Sequence, residues 1–295
     1  MSSTTLLTID GSHLFHSPSA HLVDRNDSNN NSIKLPIFGR VHIVKDKEGH
    51  LCALFVVAYW VYGTLSTLCI AILPACQDGH LPYLFAYVFV LISAMCILSF
   101  LRASLTNPGQ LPYFTGSETD AADWNECRSC HKMRPPRAHH CRRCKQCVMR
   151  MDHHCPWINN CVGENNHFAF LQLLFYACLL STSAFVFVLL HFWVFPKCHT
   201  CNQELFYIKH SIWFMYLTFL LSLNMMFMMA VQFCQQHFNV IINKTTLESM
   251  IERDYKNIRA GQCYSSYRRL CGQGLPIFWL CPIGPRRPMV SYDIL

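Results

Sequence analysis

Charge is what this chain has least of. Of 295 residues, 24 are Lys or Arg and 17 are Asp or Glu, which is 14% charged against 52% hydrophobic, with a mean hydropathy of +0.20. Soluble domains carry about 25% charged residues, so an ordinary water-exposed globule is excluded. The scarcity is concentrated. Leu51–Leu73, Leu81–Leu101, Phe168–Phe195 and Ser211 to about Phe233 contain no Lys, Arg, Asp or Glu. A bilayer crossing takes roughly 20 apolar residues. Four such runs in one short chain predict four transmembrane helices rather than four buried core helices. No secretory signal pattern precedes them. Met1 to Ser32 is rich in Ser, Asn and Asp without sustained periodicity, and reads as disorder.

The few charges that exist are placed unevenly. The connection between the second and third runs carries Arg102, Arg128, Lys132, Arg134, Arg137, Arg142, Arg143, Lys145 and Arg150. The first connection, Pro74 to His80, has no basic residue, and Pro196 to His210 has only Lys197 and Lys209. Basic loops stay in the cytosol, so both termini and the large middle connection are expected there, in a multi-pass protein of the Golgi, endoplasmic reticulum or plasma membrane. The net charge of +7 is then an orientation signal, and nucleic acid is not an expected partner. The chain divides into a cytosolic arm over 1–50, helices 1 and 2 over 51–101, a cytosolic insert over 102–167, helices 3 and 4 over 168–241 and a cytosolic tail over 242–295. Arg40 to Val44 either pairs as a strand or lies along the membrane.

Seven of the 18 cysteines fall between Cys127 and Cys161. The steps 127/130, 141/144 and 144/147 are Cys-x-x-Cys, a gap that lets a tight knuckle aim two sulfurs at one ion. In the reducing cytosol such clusters are metal ligands or reactive thiols rather than disulfides. Eight groups serve two tetrahedral zincs: Cys127, Cys130, His140 and Cys147 at one, Cys141, Cys144, His154 and Cys161 at an interleaved second. Short hairpins pinned by metal are expected, because so small an insert has little core of its own. On the other side of the membrane, Cys198 and Cys201 with Cys76 are a disulfide, a metal pair or idle thiols.

That allocation leaves Asp152, His153 and Cys155 over. A cysteine attacks as its thiolate and is mostly protonated near neutrality. A neighbouring His takes the proton, and a carboxylate on the far imidazole nitrogen fixes the tautomer. Alternation along an extended segment lets His153 face Cys155 while His154 turns to zinc, with Pro156 and Trp157 stiffening and walling the site. Alternatively Cys155 is a spare ligand and Asp152 a solvated charge.

The run Cys127-x2-Cys130-x8-His139-His140-Cys141-x2-Cys144-x2-Cys147-x4-Asp152-His-His-Cys155-Pro-Trp157, closing on Cys161-Val-Gly163, resembles the cysteine-rich domain of the DHHC protein S-acyltransferases, or palmitoyltransferases. Thr245-Thr246-Leu-Glu248 is similar to that family's Thr-Thr-x-Glu motif, and the chain looks most like its short four-span members. The resemblance implies a membrane all-α fold of four transmembrane helices with a cytosolic two-zinc insert between helices 2 and 3. It implies that Cys155 accepts the acyl group, that His153 is its base, Asp152 the orienting acid, and that Thr246 helps hold Asp152. The expected donor is a long-chain acyl-CoA such as palmitoyl-CoA, and the acceptors are cysteines of membrane-associated proteins reached by ping-pong transfer. One departure is Asn107, where many members have the Asp of an Asp-Pro-Gly turn. The second C-terminal motif is only weakly matched around Tyr267 to Gly272.

Basic residues available to the CoA phosphates are Arg137, Arg142, Arg143, Lys244 and Arg253, each taken singly more at home on a solvated face near anionic lipid. Gly63, Ser66 and Thr67 either let helices approach closely or simply pack, Asn224 is expected to act as interhelical glue, and the methionines around it to pack or line an acyl cavity. Leu275 to Pro282 is apolar but too short to span, and should lie in the interface. Cys263, Cys271 and Cys281 are acylation sites or unreactive thiols. Two other classes fit less well: a zinc-stabilised membrane scaffold with an idle Cys155, and a membrane-tethered zinc-finger ubiquitin ligase.

Overall fold

The computed structural model describes residues 32–35, 39–111, 124–195, 198–251, 262–271 and 279–282. The expected disorder of the first 31 residues, Arg253, the side chain of Cys263 and positions 275–278 of the apolar tail lie outside them. Among the described residues, four helices are long and apolar enough to cross a membrane: Lys47–Gln77, Tyr83–Leu105, His167–Trp193 and Ser211–Ile241. Leu51, Leu54, Tyr87, Leu91, Trp213, Leu220 and Phe227 stay exposed on their outer faces, an apolar surface suited to a bilayer.

The first span begins as α1 (Lys47–Ser66), winds as a π-helix over Thr67–Ile72 and ends as α2 (Leu73–Gln77). Pro74 offers no backbone N–H and crowds the preceding turn, and the wider π-helical winding lies directly before it. The second span is α3 (Tyr83–Leu105), the third α4 (His167–Trp193) and the fourth α6 (Ser211–Ile241), preceded by the single turn α5 (Phe206–Lys209). Helix α4 is the centre of the bundle, packing on both α3 and α6. Small polar side chains join the helices: Thr64 to Ser93 at 2.9 Å and Ser66 to Thr218 at 2.8 Å. A Cβ on Gly63 would meet nothing within 4 Å, so this glycine makes no close approach. One expectation needs correction. Asn224 lies on the exposed face of α6, where it cannot bond a neighbouring helix through the bundle interior.

The end of the bundle away from the insert closes on Ile70, Ile72, Phe89, Phe187, Val188 and Met215. There Cys198 and Cys201 form a disulfide. The Asp78 carboxylate ties their loop to the first connection, accepting from the backbone N–H groups of His199 (2.8 Å) and Thr200 (3.1 Å) and from the Thr200 hydroxyl. Of the three readings of that pair, the disulfide holds.

At the opposite end everything else converges. Strands β1 (Ser32–Leu35) and β2 (Gly39–His42) pair antiparallel, so the segment before the first span is a hairpin. The described part of the insert holds three two-stranded hairpins: β3 (Asn125–Glu126) with β4 (Met133–Arg134), β5 (His139–Cys141) with β6 (Gln146–Val148), and β7 (His153–Cys155) with β8 (Asn160–Val162). Asn160, fully buried, caps α3: its amide nitrogen lies 3.2, 3.0 and 2.9 Å from the carbonyls of Ala103, Ser104 and Thr106. Asn166 adds a bond to Ala103 O at 3.1 Å. The turn out of α3 is built by Asn107, whose Oδ1 accepts from the N–H groups of Gly109 (3.0 Å) and Gln110 (2.8 Å). Asn at this position therefore keeps the turn chemistry, and Gly109 supplies the φ of 104° that follows.

Helix α6 ends in a Schellman motif. Asn243 takes φ 54°, its N–H bonds Val240 O, and the Lys244 N–H bonds Asn239 O. This reversal sends the chain back over the insert as α7 (Thr246–Ile251). Helix α8 (Gln262–Cys271) packs on α6 and α4, with the Tyr267 ring tilted against His237 at 5.8 Å. The segment Trp279–Pro282 lies across the same end. Its carbonyls accept from Gln172 (2.8 Å, Trp279 O), from Tyr176 (Leu280 O) and from Arg102 (Pro282 O). These bonds hold residues 279–282 against the third span and the end of the second.

Candidate active site and metal centres

Strand β7 carries the centre of the site. Successive side chains of a strand point to opposite faces, so His153 and Cys155 share one face and His154 takes the other. Cys155 is 6% exposed. It sits in an apolar cluster with Phe100, Ala103, Ile158, Val162, Ala169, Phe170 and Leu174, edged by the partly buried Val56, Val57, Ile97, Met229 and Phe233. Residues of all four spans therefore surround one thiol. Ile158 closes the side assigned to Trp157, which is 53% exposed.

His153 bonds Asp152 Oδ2 through Nδ1 at 2.6 Å, which leaves Nε2 for the thiol, and its ring meets Phe170 edge-on at 5.3 Å. Burial lowers the His153 pKa, but the bonds to Asp152 and Cys155 outweigh it and raise it to about 9. The site favours the imidazolium, the form His153 takes when it holds the Cys155 proton. Asp152 is 1% exposed. Burial alone would raise its pKa. The His153 bond, the nearby His167 and the Thr246 N–H hold it well below the usual carboxylate range.

Thr245-Thr246-Leu-Glu248 is a capping box as well as a clamp. The Thr245 N–H donates to Glu248 Oε2 at 2.8 Å and the Glu248 N–H to Thr245 Oγ1 at 3.1 Å, which fixes the first turn of α7. Thr246 then presents both donors to Asp152, its N–H to Oδ1 at 2.7 Å and its hydroxyl to Oδ2 at 2.9 Å. Glu248 reaches the insert and holds Arg137 bidentately at 2.6 and 2.8 Å, while Arg137 also donates to Asn243 O at 2.9 Å. Arg150 bonds Asn243 Oδ1 at 3.1 Å.

The two groups of four donors assemble as allocated: Cys127, Cys130, His140 and Cys147 in one, Cys141, Cys144, His154 and Cys161 in the other, with all donor atoms within 4.8 Å of one another. Packed this closely, the three thiols of a cluster cannot all be ionised without a cation among them. Its hydrogen bonds from Cys144 and Cys161 hold the Cys141 thiol down, while Cys141 in turn pushes Cys144 up to about 12 and Cys161 further up. A dication removes that conflict. His154 turns Nδ1 to the sulfurs, and its buried Nε2 faces Asp46 Oδ2 at 3.8 Å. A carboxylate on the outer nitrogen is the usual partner of a metal-bound imidazole.

Of the basic residues put forward for phosphate binding, Arg137 is engaged by Glu248, and Arg143 by Asp46 (3.0 Å) and Glu48 (2.7 Å). Arg142 lines a cleft of about 470 Å³ with Arg128, Arg134, His139 and the apolar Leu247 and Ile251 of α7. Residues to which the sequence reading gave no role are Asn160, Asn239, Gln236 and His167. The signal was there for two of them: Gln236 and Asn239 are polar positions one turn apart near the end of an apolar span, and both reach Thr246 Oγ1, at 3.1 and 3.0 Å.

A thiol, an imidazole and a carboxylate in series, carried on hairpins beside two clusters able to hold a metal ion, stand where four membrane-length helices meet the insert. The family model of DHHC palmitoyltransferases matches residues 121–253. Mouse palmitoyltransferase ZDHHC21 is 36% identical over 252 residues, covering 85% of this chain and 95% of that protein. Its human counterpart is 37% identical over 253 residues with the same coverage. Zebrafish palmitoyltransferase ZDHHC3-A is 28% identical over 254 residues, covering 81% and 78%. The chain belongs to the DHHC palmitoyltransferase family.

Proposed function

We propose that this chain is an integral-membrane protein S-acyltransferase that moves a long-chain acyl group from acyl-CoA, through a thioester on Cys155, to cysteines of membrane-associated proteins. The observation that carries the reading is the double environment of β7. The Cys155 thiol faces an apolar cluster drawn from all four helices, and the same face presents His153, oriented by a buried Asp152. An acyl tail belongs among the helices and a polyanionic CoA head outside them, so the thioester falls where Cys155 is.

His153 takes the proton from the Cys155 Sγ–H, and the thiolate attacks the thioester carbonyl. The carbon–sulfur bond to CoA breaks, and His153 returns the proton to the departing CoA thiolate. The acceptor cysteine repeats the exchange in the second half, its proton passing through His153 to Cys155. One thioester replaces another, so no nucleotide is consumed and ping-pong kinetics follow. Zinc is the natural occupant of both Cys3His clusters, where it would serve as a brace, since four protein donors leave no open coordination position. The CoA phosphates are assigned to the cleft around Arg142, with Lys244 and Arg253 kept as candidates from the sequence alone. An incoming phosphate would compete with Glu248 for Arg137 and with Asp46 and Glu48 for Arg143. Both termini and the insert face the cytosol, by the distribution of basic residues.

The test is acyl labelling of the purified, zinc-loaded protein in detergent with traceable palmitoyl-CoA. Hydroxylamine-labile label is expected in wild type and absent from Cys155→Ser at unchanged zinc content. Equal labelling of Cys155→Ser would remove Cys155 from the mechanism and favour the scaffold reading.

A further inference from the structure

His167 and Gln236 are buried polar side chains of two membrane helices, 7% and 0% exposed, and neither belongs to a motif discussed above. Gln236 sends its amide nitrogen to Asp152 Oδ2 at 2.9 Å and to Thr246 Oγ1 at 3.1 Å. Its carbonyl oxygen lies 2.9 Å from His167 Nε2. An amide that donates through nitrogen on one side has only its oxygen to offer on the other, so His167 must carry its proton on Nε2. The bonds then converge on one oxygen: His167 Nε2–H donates to Gln236, the Gln236 N–H to Asp152 Oδ2, and the His153 Nδ1–H to the same Oδ2.

We propose that Gln236, itself fixed by His167, is a positioning residue for acyl transfer, holding the Asp152 carboxylate at the angle that aims His153 at Cys155. The proposal rests on the reading of Asp152 and His153 as orienter and base. Asp152 Oδ1 has the Thr246 N–H, while Oδ2 receives the Thr246 hydroxyl, Gln236 and His153. The Thr246 hydroxyl can rotate, whereas the Gln236 amide is planar and anchored at both ends. Without it, Oδ2 loses its rigid donor and the carboxylate can turn about its own bond away from His153. Gln236 lies in α6 and His167 in α4, so the arrangement of the two helices sets the geometry of the carboxylate directly. The competing role is a tie between the helices alone. Such a tie would alter stability without acting through Asp152.

The experiment is single-turnover acylation of purified, zinc-loaded protein by labelled palmitoyl-CoA, comparing Gln236→Leu, Gln236→Glu and Asp152→Asn. Gln236→Glu keeps the size of the side chain while opposing one carboxylate with another. In both Gln236 variants the rate constant for acyl-enzyme formation should fall about tenfold or more, as misaimed catalytic groups do. The concentration of palmitoyl-CoA giving half-maximal rate should stay within about twofold, as for an interaction acting only in the chemical step. In an Asp152→Asn background, adding Gln236→Leu should change the residual rate by less than about twofold, since both act through one carboxylate. A wild-type rate in Gln236→Leu and Gln236→Glu would overturn the proposal, as would an undiminished Gln236→Leu effect in the Asp152→Asn background. Loss of zinc in both variants would also overturn it, by showing a purely structural tie. Failure of wild type to acylate at all would instead sink the underlying enzymatic reading.

Discussion

Glu248 and Arg137 connect helix α7 to the cysteine-rich insert, and replacing either should loosen the grip of Thr246 on Asp152. The pair is bidentate and partly buried, with side chains 18% and 31% exposed. Fully exposed pairs are worth about 0–1 kcal/mol, and removing one partner of a fully buried pair costs about 3–5 kcal/mol. This pair stands between, so a coupling of about 2 kcal/mol is expected from a double-mutant cycle of Arg137→Ala and Glu248→Ala, measured by unfolding in detergent. Glu248→Gln should retain both metals while acylating about tenfold more slowly, because about 1.4 kcal/mol lost from docking α7 is a factor of ten in its population. The pH dependence has a definite sign. Burial alone would raise the Glu248 pKa, but the Arg137 contact holds it below its ordinary value. Its stabilisation is therefore present above the ordinary carboxylate range and is lost as pH falls through the lowered folded-state value. Comparing wild type with Glu248→Gln cancels metal release, which is common to both. A coupling below about 0.5 kcal/mol, within the error of additivity, together with wild-type acylation by Glu248→Gln, would refute the clamp.

Three further outcomes follow. Asn160→Ala strips the capping donors from three carbonyls at the end of α3 and should cost about 2–3 kcal/mol in detergent unfolding. Gly163→Ala would set a Cβ 2.5 Å from Pro108 O and 2.5 Å from Val148, and should destabilise by about 3 kcal/mol, read as a lowered thermal midpoint or loss of folded yield. Cys147→Ala should reduce bound zinc from about two per chain to about one or none, and chelation of wild type should abolish acylation until zinc is restored.

The bundle was legible because membrane helices announce themselves locally, as runs without charge. The two metal clusters were equally legible, since Cys-x-x-Cys spacing constrains backbone geometry at short range, and the interleaved allocation matches the grouping of the donors. The trio left over by that allocation is found together, with alternation along β7 sorting His153 and Cys155 from His154. The polar network behind the trio was much harder to read. Gln236 and His167 are distant in sequence, and nothing in either neighbourhood specifies the partner. Asn224 shows the same difficulty in reverse, since a polar residue in an apolar run carries no label for which face it occupies. The fourth helix continues to Ile241, two turns beyond the most apolar stretch, and those turns bring Gln236 and Asn239 to the site.

The most direct test of the central claim is a burst assay on the purified protein mixed with palmitoyl-CoA and no acceptor protein, with peptide mapping of the product. The account predicts rapid release of one CoA per active chain, with the acyl group found on Cys155 and discharged when an acceptor thiol is added. No CoA release before the acceptor arrives, or an acyl group mapped elsewhere with Cys155 unmodified, would contradict it.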